Sequence, residues 1–163
     1  MIVWGVVGWK NSGKTGLVER LVADLTGRGL TVSTIKHAHH AADIDHSGTD
    51  SFRHRAAGAG EVILATAERT MQIRELKGRA EPGLDALLSR LGPADMVLVE
   101  GFKRESHPKI EAYRTATGQP LIAPGDPTIR AVASDTILDL DRPVYALDDT
   151  RAIANFLLEG TPR

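Results

Sequence analysis

Near the start of the chain, Gly8-Trp9-Lys10-Asn11-Ser12-Gly13-Lys14-Thr15 places two glycines around a four-residue spacer, with a lysine and a hydroxyl directly after them. The stretch fits G-x-x-x-x-G-K-[ST] at every fixed position. Glycines at these points let successive backbone N–H groups turn inward around phosphate oxygens, and a helix starting at Lys14 would aim its positive dipole end at the same anion. Lys14 is the residue that reaches the β- and γ-phosphates of a nucleoside triphosphate, and the Thr15 hydroxyl is the one that ligates Mg²⁺. Trp9, Lys10, Asn11, Ser12 and Gly16 complete the cradle. By average residue usage a chance match in a chain of this length is on the order of half a percent.

Such a loop needs a second acidic group at the end of a buried strand to hold the metal directly or through water. Met96-Val97-Leu98-Val99 runs into Glu100-Gly101, so Glu100 falls at the carboxyl edge of a sheet, where open α/β folds bind their ligands. A surface loop acid is the competing reading of Glu100, and Asp95, at the other end of the same run, reads as a solvated residue or cap. Lys36-His37 follows another apolar run. Lys36 can neutralise phosphate charge, while His37 or Asp45 can orient a water or join the metal shell. His39, His40 and His46 read as polar loop residues. The alternative is a transition-metal site, because His37, His39 and His40 lie within four positions and imidazole suits nickel or zinc.

These residues must be held by a framework, and the sequence outlines one. Residues 2–7 are a β-rich apolar run ending at Gly8, as in a strand buried on both faces of a parallel sheet. Leu17, Val18, Leu21, Val22 and Leu25 then recur at helical spacing until Gly27 and Gly29, and residues 30–35 read as a second strand, making a βαβ unit. Residues 36–50 are polar and predict a functional surface loop. A helix over 50–57 and a hairpin of Val62–Ala65 with Met71–Leu76 follow. Leu84, Leu87, Leu88 and Leu91 mark a helix between Glu81-Pro82 and Gly92-Pro93. Beyond Met96–Val99, strands are expected near Lys109–Arg114, Arg130–Ala133 and Val144–Ala146, and a last helix over 149–158. The expectation is one P-loop domain over residues 1–163: a three-layer α/β sandwich, mostly parallel, with helices on both faces and an inserted β-hairpin.

Composition narrows the function. Lys+Arg 20 against Asp+Glu 21 gives a formal charge of −1, which offers no basic footprint for nucleic acid. With no cysteine there is no disulfide, thiol nucleophile, iron–sulfur cluster or Cys-ligated zinc, and a reducing cytoplasm fits. No apolar run approaches the ~18 residues of a membrane span, so neither a membrane anchor nor a signal peptide is expected.

Taken in order and spacing, several segments resemble the molybdopterin-guanine dinucleotide biosynthesis protein B family. They are Gly8–Thr15 after a very short strand, Lys36-His37-Ala38-His39-His40, Asp45-His46-Ser47-Gly48-Thr49-Asp50-Ser51 leading to Arg53-His54-Arg55 and Ala57-Gly58-Ala59, and Val99-Glu100-Gly101-Phe102-Lys103. The pattern departs after Asp45-His46, where Ser47-Gly48-Thr49 stands in place of an expected Pro-Gly-Lys. The resemblance implies GTP, weak intrinsic GTP hydrolysis, a homodimer and a guanylyltransferase partner; Mg²⁺ follows from the loop residues, and molybdopterin is a further candidate ligand. For guanine recognition the nearest substitute for an Asn-Lys-x-Asp stretch is Asp135, after Ala131-Val132-Ala133-Ser134; a turn-capping aspartate is the equal alternative. A phosphorylated pterin would need cations, and Arg53 and Lys103, with His37, are the candidates. Arg69, Arg74, Lys77 and Arg79 read as solvated charge, and Lys103-Arg104 lies near His107 and Lys109 in sequence. With no general base or arginine finger visible, turnover is at most that of a slow GTPase. Two other functions fit parts of the pattern: a nickel metallochaperone GTPase, from the histidines, and a small-molecule P-loop kinase using ATP, with residues 69–79 as its lid.

Overall fold

Short apolar strands joined through helices pair side by side in parallel, and a sheet built that way needs a helical layer on each face. The structure, a computed structural model, describes residues 1–38 and 45–160. Along the chain run β1 (Ile2–Val7), α1 (Lys14–Gly27), β2 (Val32–Lys36), α2 (Asp50–Ala56), β3 (Glu61–Ala65), β4 (Thr70–Arg74), α3 (Leu84–Leu88), β5 (Met96–Glu100), β6 (Lys109–Tyr113), β7 (Ile129–Ser134), β8 (Val144–Ala146) and α4 (Thr150–Glu159). The chain divides into two compact units, residues 1–37 with 84–163, and residues 38–83.

The first unit is a six-stranded sheet in the order β2-β5-β1-β6-β7-β8, with every neighbouring pair parallel. On one face Trp4, Val6, Leu98 and Ile110 pack against Leu17 and Leu21 of α1 and Ile153 and Leu157 of α4. The Trp4 indole N–H, buried with them, donates to the Leu157 carbonyl at 3.0 Å. On the other face Ile35, Val97 and Val99 meet Leu84 and Leu88 of α3, while Val7, Ile129 and Val132 cover Ala123. The sheet is therefore the middle of three layers, as its apolar runs predict. Among the described residues no helix is long and apolar enough to cross a membrane.

Boundaries differ from expectation where side chains intervene. β2 begins at Val32 instead of residue 30, because the Asp95 carboxylate accepts from both the backbone N–H (2.8 Å) and the hydroxyl (2.6 Å) of Thr31 and fixes the chain before the strand. Asp95 is thus the cap that its position suggests. The leucine helix α3 is only five residues long, ending at Leu88 in tighter turns in which the Arg90 and Leu91 N–H groups donate to the Leu87 and Leu88 carbonyls.

The second unit holds α2 and the antiparallel hairpin β3–β4, whose register pairs Glu61 with Arg74 and Ala65 with Thr70. Thr49 caps α2, accepting from the Phe52 N–H at 3.3 Å. The departure at Ser47-Gly48-Thr49 therefore supplies a helix cap in place of a cation. Arg55 links α2 to both sides of its unit, reaching Asp45 at 3.0 Å and Glu75 at 2.8 Å.

Candidate functional site

Between β1 and α1 the chain reverses in six residues, which demands backbone conformations few side chains tolerate. Gly8 has φ +147°, and a Cβ there would run into the Ala112 carbonyl oxygen and Ser12 Oγ, so only glycine fits. Asn11 (φ +64°) and Gly13 (φ +95°) are left-handed, the conformation that turns consecutive amides toward one point. Gly13 offers no side-chain cap to α1, leaving the helix's first N–H groups open to an anion. The buried Ser12 hydroxyl has no hydrogen-bond partner among the described residues. Lys14 Nζ donates to the Trp9 carbonyl at 2.6 Å, lying across the mouth of the loop. Burial lowers its pKa below the ordinary lysine value; Glu100 opposes this, and the neighbouring Lys103 and Lys36 charges add to it.

Sheet register assembles the next three residues. β5 is flanked by β2 and β1, so that Lys36 and Val6 both lie opposite Glu100. The Thr15 hydroxyl donates to Glu100 Oε1 at 2.9 Å, and Lys36 Nζ stands 3.3 Å from that oxygen and 3.3 Å from Thr15 Oγ1. Glu100 is buried and Lys36 is half exposed. A hydroxyl and a carboxylate sharing one point at a helix N-terminus are the hard oxygen donors that suit Mg²⁺, and Lys36 offsets the carboxylate charge here. A groove of about 340 Å³ lined by Val18, Val22, Ile35 and Thr34 opens beside this trio.

After Glu100 the backbone turns through two left-handed residues, Gly101 (φ +99°) and Phe102 (φ +51°). A Cβ on Gly101 would sit 2.9 Å from that of His37. The strained Phe102 is held by its ring, 4.7 Å from the His37 ring and tilted by 31°. His37 also donates its backbone N–H to the Glu100 carbonyl at 2.9 Å. The turn directs Lys103 back over the phosphate loop, where its ammonium lies 4.1 Å from the centre of the Trp9 ring, a cation–π contact. Lys14, Lys36, Lys103 and His37 thus gather with Thr15 and Glu100 on one edge of the sheet.

Other candidates are placed differently. Asp135 lies just beyond β7, and its carboxylate accepts the Thr115 N–H at 3.0 Å, holding the turn Thr115–Thr117 that follows β6; this is the capping alternative. Asp45 belongs to the second unit, where Ser51 (2.9 Å), Thr49 (3.0 Å) and Arg55 (3.0 Å) surround its carboxylate. Burial opposes its ionisation, and those hydrogen bonds with the Arg55 charge outweigh it and lower the pKa. Arg53 is exposed on α2, 3.7 Å from Asp50, and Lys10 is exposed on the loop. His39 and His40 lie outside the described residues. Among the described residues no group of three His, Asp or Glu side chains surrounds a cation site.

The basic run from Lys103 to Lys109 is split by the topology. Lys103 follows β5 at the carboxyl edge, whereas Lys109 opens β6 at the opposite edge and is fully buried, bonded to the Glu105 carbonyl and the Thr128 hydroxyl. His107 packs there against Gly5, and burial first, then Lys109, lowers its pKa to about 4 against a smaller opposing effect of Asp126.

One residue of the carboxyl edge escapes the sequence reading. Glu111, in the middle of β6 and opposite Val7, is fully buried, and its carboxylate accepts the N–H groups of Ile122 (3.0 Å) and Ala123 (2.8 Å). Alternation in Lys109-Ile-Glu-Ala-Tyr marks Glu111 as outward-facing; the second face of a parallel sheet is covered as well, and that buries it.

The family model described as molybdopterin guanine dinucleotide synthesis protein B matches residues 3–135. The chain is 38% identical over 154 residues to the molybdopterin-guanine dinucleotide biosynthesis adapter protein of Escherichia coli, covering 93% of this chain and 88% of that one. It is 39% identical to the protein of the same name from Haemophilus influenzae, covering 94% and 85%. Among solved structures, a MobB protein homolog from Bacillus stearothermophilus aligns over 98% of this chain and 97% of that one at 31% identity, with a TM-score of 0.69. A molybdopterin-guanine biosynthesis protein B structure aligns over 98% and 100% at 26% identity, with a TM-score of 0.77.

Proposed function

Because the chain belongs to the molybdopterin guanine dinucleotide synthesis protein B family, we propose that it is a GTP-binding adapter in the formation of molybdopterin-guanine dinucleotide. The observation that carries the nucleotide part is the meeting of Thr15, Glu100 and Lys36 at the mouth of a loop whose glycines and Lys14 fit a triphosphate. The loop amides and the first turn of α1 bind the β-phosphate, and Lys14 leaves the Trp9 carbonyl for the β- and γ-phosphate oxygens. Thr15 and Glu100 hold Mg²⁺, which when bound neutralises charge building on those oxygens. With Glu100 engaged by a cation, Lys36 would be free of it and would neutralise γ-phosphate charge. Hydrolysis is in-line attack by water, and with Lys14 as its main stabilising charge and no residue assigned to activate the water, it is slow. Lys103 and His37 provide a cation and an aromatic edge for a phosphorylated pterin beside the nucleotide.

The same reading includes a guanylyltransferase partner and a homodimer. The hairpin supports the latter: Ile63 and Leu64, adjacent in β3 and so on opposite faces, are 65% and 42% exposed on a two-stranded sheet too small to cover them, apolar area that a second copy would bury. Calorimetric titration of the protein with GTP and with ATP in Mg²⁺ tests the proposal. Preference for GTP supports it; preference for ATP, with phosphate appearing on a small acceptor, turns the assignment to a kinase.

A further inference from the structure

Glu111 has no part in the scheme above, yet it stands behind the loop that does. Its carboxylate accepts the backbone N–H groups of Ile122 at 3.0 Å and Ala123 at 2.8 Å. Those residues carry Pro120, whose carbonyl accepts the Trp9 indole N–H at 2.7 Å. The face of the same indole is covered by the Lys103 ammonium at 4.1 Å, and Glu111 supports that positive charge against the burial that opposes it. Trp9 is therefore held twice, at its N–H and at its face, and the hydrogen-bonded path from its N–H leads to one buried carboxylate. The backbone of Trp9 in turn supplies the carbonyl that holds Lys14 at 2.6 Å. A buried carboxylate is costly unless its hydrogen bonds are satisfied, and here that cost is offset by amides that belong to the turn bracing the loop.

We propose that Glu111 is the positioning residue of the phosphate loop, acting through residues 120–123 to fix Trp9 and, through the Trp9 carbonyl, the starting position of Lys14. The inference rests on the nucleotide reading for its effect on affinity, but the tether itself exists without ligand. Glu111→Gln keeps the volume, removes the charge that attracts Lys103 and faces an amide N–H with an NH₂ group. Trp9→Phe removes the indole N–H and leaves a ring.

Four proteins test the idea: the unmodified chain, Glu111→Gln, Trp9→Phe and the double variant. In the ligand-free state, acrylamide quenching of the emission difference between each Trp9 protein and its Trp9→Phe counterpart isolates Trp9 from Trp4; it should rise with Glu111→Gln. In titrations with Mg²⁺ and GTP, Glu111→Gln should weaken binding roughly three- to tenfold, one hydrogen bond's worth, when Trp9 is present and very little when it is absent. Unchanged quenching, or equal weakening in both backgrounds, overturns the proposal; the latter would mean a general effect on the fold. If the unmodified chain binds no GTP, the nucleotide reading fails and the quenching result alone judges the tether. Should Glu111→Gln not fold, Glu111→Asp, which keeps the charge but withdraws it from the amides, is read in the same two assays with the same criteria.

Discussion

Replacing Glu100 by Gln should change GTP affinity in opposite directions with and without Mg²⁺. Without a metal, the Lys14, Lys36 and Lys103 ammonium groups gather at the loop, and Glu100 is a carboxylate that meets the first two. That carboxylate repels a triphosphate. At ~6 Å and an effective dielectric constant of ~20, the repulsion per phosphate charge is about 3 kcal/mol, which salt and the half-exposed Lys36 reduce to about 1 kcal/mol. In EDTA, Glu100→Gln should therefore bind GTP about fivefold more tightly. With Mg²⁺ the variant has lost a charged metal ligand that the Thr15 hydroxyl alone cannot replace, a loss of about 2–3 kcal/mol or roughly 30- to 150-fold in affinity. The fold should survive, because the glutamine amide oxygen can still accept from Thr15 and the Lys36 side chain, 57% exposed, can turn to water. Calorimetry in the two buffers, with thermal unfolding as the control, measures both signs. A change of the same sign and size in both buffers would show that Glu100 acts only as a general charge, and the metal assignment would fall.

Lys14→Ala should abolish triphosphate binding at up to millimolar GTP while leaving the unfolding curve almost unchanged, since in the ligand-free protein the side chain makes one bond to Trp9; retained affinity would defeat the phosphate cradle. Gly8→Ala puts a Cβ against the Ala112 carbonyl and Ser12 Oγ at φ +147°, which should cost about 2–4 kcal/mol in urea unfolding, and a neutral result would mean the loop is not held as described. His107 makes stability depend on pH. Its folded pKa, about 4, lies below the ordinary 6.5, so the unfolded chain binds the proton first and stability is lost as pH falls from 6.5 toward 4. Between pH 7 and pH 5 the loss should be at most about 2 kcal/mol, and His107→Asn should flatten it; an unchanged slope in the variant would assign the acid sensitivity elsewhere.

How much of this could be read from residues alone depends on whether the cause is local. The phosphate loop is local: glycine spacing, the lysine and the following helix all lie within one stretch, so Gly8 to Thr15 and the flanking strand and helix are legible. Glu100 and Lys36 are each legible as strand ends, but their meeting is set by β2 and β1 flanking β5, a pairing between segments more than sixty residues apart that no local pattern encodes. The same non-local pairing misleads between Lys103 and Lys109. Their closeness in sequence suggests one basic cluster, whereas the return from the end of one parallel strand to the start of the next carries Lys109 and His107 to the opposite edge.

That crossing of the sheet separates two kinds of charged residue. At the amino edge the Lys109 ammonium is fully buried and engaged by Glu105, Thr128 and, at 3.8 Å, Asp126; its hydrogen bonds are satisfied within the protein, so its role is to bind chain segments to one another. At the carboxyl edge the bonds between groups are provisional. Lys14 rests on a carbonyl that, in the proposed scheme, it would leave for a phosphate, and Lys36 shares a carboxylate with a threonine hydroxyl while remaining half exposed. A cation that is fully satisfied at rest gains little from a ligand, because every contact made replaces one of equal strength. One held by an exchangeable partner gains the difference between a carbonyl and a phosphate, and between a shared carboxylate and a triphosphate charge. On the proposed reading, ligand binding would therefore concentrate at the edge where the resting contacts are weakest, and the loop, Glu100 and Lys36 would act together there because each begins in a contact that it can give up.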